Sequence, residues 1–97
     1  MAKFGEIINS EVPVLIQFYD DEPDDVKDIL NNIASDITFS AKLIKIDINK
    51  NPKMAEALRL RHFPTYMIYK NGEMKWRQSG EMNPVFLINT LKRFTAS

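Results

Sequence analysis

The stretch Val12-Pro13-Val14-Leu15-Ile16-Gln17-Phe18-Tyr19 constrains this chain more than any other. Pro13 bars a helix from running into it and sets an extended entry. From Val14 to Tyr19 the run is apolar except at Gln17. Such a run fits a strand covered on both faces, in the middle of a parallel or mixed sheet. It leads into an acidic turn, Asp20-Asp21-Glu22-Pro23-Asp24-Asp25. Pro23 within a first turn, with acids beside the positive end of the dipole, reads as a helix start. A buried strand feeding a helix start is where α/β proteins place ligands and reacting groups. Here that position carries carboxylates and no nucleophile.

The remaining elements follow from hydrophobic spacing and turn chemistry. Phe4, Ile7 and Ile8 recur at helical intervals, which predicts a short helix over Lys3 to Asn9, weakened by Gly5. Val26, Ile29, Leu30 and Ile33 make one apolar face of a second helix that ends near Ala34 to Asp36. Leu43 to Ile48 alternates, with isoleucine at 44, 46 and 48, and reads as a strand with one strongly apolar face. Asn51-Pro52 is a helix start, and Met54, Ala57 and Leu58 are its expected inward stripe. His62-Phe63-Pro64-Thr65 breaks that helix. Tyr66 to Tyr69 and Glu73 to Gln78 flank Asn71-Gly72, a pair that specifies a type I′ hairpin because both of its residues take positive φ. Gly80 ends the second strand. Asn83-Pro84 opens a last helix with Leu87, Ile88, Leu91 and Phe94 facing inward. No repeat or low-complexity linker divides residues 1–97, so a single domain is expected. The order α-β-α-β-α-β-β-α gives a three-layer α/β/α sandwich around a four-stranded mixed sheet, since strands joined by a helical crossover are parallel.

Composition excludes several functions. The 13 basic and 13 acidic residues cancel, so bulk charge points to neither nucleic acid nor an acidic membrane. No cysteine occurs among the 97 residues. Disulfides, thiolate ligands, cysteine nucleophiles and dithiol redox chemistry are removed together. The N-terminus has an early acid and no long apolar run, unlike a signal peptide. No stretch approaches the roughly 20 apolar residues that span a bilayer. A cytoplasmic location is the expectation.

Four segments in this order resemble the thioredoxin family: Pro13 to Tyr19, Lys45-Ile46-Asp47-Ile48-Asn49 with Asn51-Pro52, Phe63-Pro64-Thr65, and Lys70-Asn71-Gly72-Glu73 with Gly80. The likeness runs from Phe4 to Phe94. It implies a thioredoxin-like fold that lacks the N-terminal edge strand many thioredoxins possess. Leu43 to Ile48 then forms an exposed sheet edge, blunted by Lys42 and Lys45. In that family a Trp-Cys-Gly-Pro-Cys-type motif acts between the first central strand and its helix. Here Tyr19 to Asp25 occupies the place, shorter and without either thiol. Gln17 stands where the family has a buried aspartate and cannot titrate, and Lys45 matches the lysine near it. Thioredoxin-type disulfide exchange is therefore excluded, and a divergent, redox-inactive member is implied. What the resemblance leaves is a binding groove. Pro64 matches the family's cis-proline, and Tyr19, Phe63, Pro64, Thr65 and Gly80 are its expected borders, open to a peptide by strand addition.

The leading expectation is a non-enzymatic module that binds protein or peptide through this groove or through the acidic turn Asp20, Asp21, Glu22, Asp24 and Asp25. The second is an assembly role, including a homodimer, through the strand 43–48. The third is a non-dithiol enzyme such as a glutathione-dependent transferase with Tyr19 as activator; it ranks last, because such transferases carry a further helical domain and these residues end at Ser97. The acidic turn lacks the spacing of a calcium loop, so no metal or cofactor is expected. Arg61 is the cation placed to bridge to Asp20 or Asp21 and close the turn. His62, the single histidine, has no partner spacing for catalysis. Trp76 with Lys75 and Arg77 is too sparse for a nucleic-acid platform, and sheet packing suits it better.

Overall fold

The computed structural model describes residues 4–20 and 29–95. Its centre is β1, Val14–Tyr19, of which all but Tyr19 are buried. The sheet also contains β2 (Lys42–Asp47), β3 (Thr65–Lys70) and β4 (Glu73–Ser79), in the spatial order β2-β1-β3-β4. β2 runs parallel to β1, with Ile16 opposite Ile44 and Gln17 opposite Lys45. β3 is antiparallel to β1, and β4 antiparallel to β3. This is the expected four-stranded mixed sheet, with β2 at an edge.

Burial on both faces of β1 follows from its alternation. Val14, Ile16 and Phe18 point into one core layer with Ile46, Ile48, Met67 and Tyr69. The helices α1 (Phe4–Ile8) and α3 (Pro52–Ala57) cover that layer. Leu15 points into the opposite layer with Tyr66 and Ile68, under α2 (Ile29–Ala34) and α4 (Pro84–Lys92). Period-two side chains and two helix pairs thus account for the three layers.

Local rules set most boundaries. Asn71 and Gly72 have φ of 54° and 82°, the left-handed conformations a type I′ turn demands. Asn83 caps α4, its side-chain oxygen accepting from the Val85 N–H at 2.8 Å. At the other end of α4, the Lys70 ammonium donates to the Phe94 carbonyl at 2.9 Å, which neutralises an orphan acceptor near the negative end of the dipole.

Three expectations need correction. The strand placed at 43–48 covers Lys42–Asp47, because Ile48 already begins a 3-10 turn, Ile48–Lys50. Asn51 flanks α3 but its side chain caps nothing; its amide donates instead to the Asp47 carbonyl at 2.8 Å. Ala57 is exposed, and Ala55 joins Met54 and Leu58 against the core. α3 stops at Ala57, and Arg59 turns left-handed at φ 54°, so the inward residues are Met54, Ala55 and Leu58. The start predicted for the second helix, around Glu22 to Asp25, lies outside the described residues.

Because adjacent residues of β1 serve different layers, truncating either one should be costly. Leu15→Ala and Ile16→Ala are each expected to lower unfolding free energy by about 2–5 kcal/mol. Urea titration should show lowered midpoints with unchanged slopes. A strand with one wet face would lose stability at only one of the two.

Candidate functional site

The site forms where the C-terminal end of β1 meets the entry to β3. Register places Phe18 opposite Thr65, which brings Tyr19 beside Pro64. The Phe63–Pro64 peptide bond is cis. Gly80 closes the other flank: its N–H donates to the Pro64 carbonyl at 2.8 Å, at a φ of 100° that favours glycine. Four of the five expected groove residues are thereby partly exposed neighbours. Thr65 differs, being fully buried. Its hydroxyl donates to the His62 carbonyl and in turn accepts from the Ser79 hydroxyl at 2.9 Å, so it shapes the loop from beneath.

Phe63 packs its ring against the layer under α1 and α3. Its main-chain N–H and C=O make no hydrogen bond among the described residues, and neither do those of Arg61. A backbone donor and acceptor left open are what an added strand requires.

At the β1 end, Asp20 is exposed, and its carbonyl accepts from the Asn49 side-chain amide. Asp47 accepts from the Asn49 N–H at 2.9 Å, so the ends of β1 and β2 are joined through one asparagine. The Lys45 ammonium lies 5.9 Å from the Tyr19 ring centroid, within cation–π range. Asp21, Glu22, Asp24 and Asp25 lie outside the described residues. Arg61 is exposed, and among the described residues no ion pair joins it to Asp20. Among the described residues no three acidic or imidazole side chains are grouped to hold a metal ion.

Beneath the site, Gln17 is only 3% exposed. Its amide nitrogen donates to the Tyr66 hydroxyl at 3.1 Å, while its Oε1 has no partner. Exchanging the two amide ends would satisfy the oxygen and strand the nitrogen instead. Burial pushes the Tyr66 hydroxyl above the ordinary tyrosine value; the Gln17 bond opposes this and the charge of Glu81 adds to it. Nothing in the Gln17–Tyr66 pair can shuttle a proton at neutral pH.

One feature escaped sequence reasoning. Arg77 reaches from β4 to the carbonyls of Leu58 and Arg59, at 2.7 and 2.9 Å, tying down the turn before the groove. The contact joins residues far apart in sequence, and only the β3–β4 register places them together. Trp76 packs into the α2–α4 layer, as sheet packing predicts, and meets Phe86 at 6.1 Å between centroids.

The family model described as Thioredoxin matches residues 1–93. A thioredoxin from Rickettsia bellii (strain RML369-C) is 32% identical over 73 residues, covering 72% of this chain and 70% of that protein. A thioredoxin from Griffithsia pacifica is 32% identical over 95 residues, covering 95% of this chain and 87% of that protein. Among solved structures, a mutant thioredoxin from Halobacterium salinarum NRC-1 is similar in fold, with a TM-score of 0.80 at 22% identity, covering 96% of this chain and 83% of that one.

The buried amide–phenol pair makes two measurable predictions. Tyr66→Phe removes the one partner of Gln17 and should cost about 1–3 kcal/mol, whereas Gln17→Leu with Tyr66→Phe should be close to neutral. Tyr66 also titrates differently in the two states. The folded chain holds this proton to higher pH than the unfolded one, so its contribution is full below about 10 and fades as pH rises through the folded value. Denaturation midpoints should fall less steeply above pH 10 for Tyr66→Phe than for the parent chain.

Proposed function

This chain belongs to the thioredoxin family, and we propose that it is a redox-inactive member that works by binding protein or peptide. Its 97 residues include no thiol with which to attack a disulfide. The observation that carries the reading is the open main chain of Phe63, beside Pro64 and Gly80, at the place where the family has its reactive site. An extended peptide would add there as a short strand, its backbone answering the Phe63 N–H and C=O. Tyr19, Pro64 and Gly80 would border it, and Thr65 would act through the loop it braces. Dissociation would be set by side-chain contacts around that strand, since main-chain bonds alone are shared by any sequence. The acidic residues Asp21 to Asp25 offer a further contact to the same partner on charge alone.

The position of β2 at the sheet edge favours a second reading, in which this strand pairs with another copy. Lys42 and Lys45 weigh against that pairing, as does the polar character of Asp47. Sedimentation separates the two readings. A monomer from micromolar to millimolar concentration removes the homodimer and leaves the groove reading intact.

Two assays test the proposal. Insulin reduction by the untagged protein should not exceed the rate with dithiothreitol alone. Random octapeptides displayed on phage and selected on the immobilised chain should yield binders. Titrated into labelled protein, these should shift the amide resonances of Arg61, Phe63 and Gly80. Turnover of insulin would refute the inactive half, and failure to select any binder, or shifts confined to β2, would refute the binding half.

A further inference from the structure

The edge at Phe63 lies next to a group of basic residues. Arg59, Arg61 and His62 are all exposed. Arg77 adds a fourth basic group to the same turn, because its guanidinium bonds the Leu58 and Arg59 carbonyls. Those two bonds use one N–H on each terminal nitrogen and leave three of its five donors for another acceptor. From Ala57 to Gly72 the sequence has no aspartate or glutamate. Among the described residues no ion pair neutralises Arg59, Arg61 or Arg77; Glu73 is engaged by Lys75 at 2.9 Å. On the other flank the charges reverse, since Asp20 follows Tyr19 and Glu81 follows Gly80. The contact is therefore electrically polar, positive at its Arg61 end and negative at its Tyr19 and Gly80 end.

We infer that the partner taken at the Phe63 edge is an acidic extended peptide, with its carboxylates at the Arg61 end of the contact. This rests on the strand-addition reading and adds the chemistry of the ligand to it. The open main chain fixes the register. Phe63 lies in the bend over residues 62–64 that precedes β3, and Arg61, two residues back, has its own N–H and C=O open among the described residues. A partner residue that pairs with Phe63 is followed, two positions along, by one that faces Arg61. A carboxylate at that second position meets Arg61 directly, with Arg59 and the pinned Arg77 guanidinium behind it. Guanidinium groups suit this task because their planar donors match both carboxylate oxygens. Arg77 is already held, so little side-chain freedom is lost when it pairs. Exposed pairs are weak one by one, so selection arises from several cations acting on clustered acids. At the Arg61 end this charge favours an acidic segment over a basic one.

The octapeptide selection distinguishes this inference from the reading beneath it. Peptides selected on the parent chain should carry aspartate or glutamate two positions from the residue that shifts the Phe63 amide. Selection on the double variant Arg59→Glu with Arg61→Glu should remove that preference or turn it towards lysine and arginine. Both side chains are exposed and neither contributes to the core, so the variant keeps the fold, which circular dichroism checks. The best acidic octapeptide should lose about tenfold in affinity on the variant, and its binding to the parent should weaken as sodium chloride is raised. Selected peptides without an acidic preference that still shift Phe63 would overturn the acidic ligand and leave strand addition standing. Failure to select any peptide would overturn strand addition, and this inference with it. Tighter binding of a thymidine 20-mer than of the best peptide would assign the cations to nucleic acid and overturn the inference.

Discussion

Burial of both faces of β1 is the constraint on which the structure depends. Val14 to Phe18 are all inaccessible to solvent or nearly so, and consecutive residues serve opposite layers. Neither helix pair is dispensable under that condition, since removing one would expose every second residue of the central strand. The crossover through α2 follows, because β1 and β2 are parallel and the connecting chain must cover a face. The antiparallel hairpin β3–β4 completes the sheet from the other side. Even the meeting of Tyr19 and Pro64 descends from this arrangement: β1 delivers Tyr19 and the turn before β3 delivers Pro64 to one end of the sheet because Phe18 and Thr65 are paired.

That central burial also limits what position 17 can hold. A carboxylate at position 17 would be costly in this interior unless its pKa rose or a partner met it. An amide carries no such penalty for charge, and Gln17 finds one partner in Tyr66. It still leaves an acceptor unmet, so the position is not an optimised core. The polarity beneath the site therefore persists without the chemistry. Together with the absence of thiols, this leaves the site without the groups that dithiol exchange requires.

Legibility in the sequence tracked how local each determinant is. The hairpin could be read from Asn71-Gly72 because positive φ is a property of those two residues. The cap at Asn83 was legible for the same reason, as was the two-sided burial of a run that is apolar except at Gln17. Asn51 has the same sequence signature as Asn83 yet makes no cap, since the Asp47 carbonyl competes for its side chain across an intervening turn. Ala57 was misplaced because helical periodicity says nothing about where a short helix stops. The groove was read from a resemblance rather than from any residue property. The role of Thr65 changed from a lining residue to a buried brace, which only the register with Ser79 reveals. The contacts of Arg77 had no local sign at all. The acidic turn, prominent in the sequence, falls mostly outside the described residues.

Three stretches of main chain lie at the margin of the sheet, and they differ in how well they are protected. β4 is interrupted by a register shift between Ile68 and Tyr69, so that Lys75 falls between Met74 and Trp76 without a partner in the ladder. A bulge of this kind twists an edge away from flat pairing, and Lys75 and Arg77 place charge beside it. β2 has Lys42 and Lys45 along its length, and its last carbonyl is engaged by Asn51. The segment 61–63 carries charge at Arg61 and ends at a proline, but it has no bulge and no cap: Arg61 and Phe63 keep their main-chain groups open among the described residues. Edges that must avoid other chains are blunted, whereas an edge meant to receive one has to stay available. The two edge strands are thus protected by bulge, charge and capping, whereas the loop at Phe63 is neither bulged nor capped.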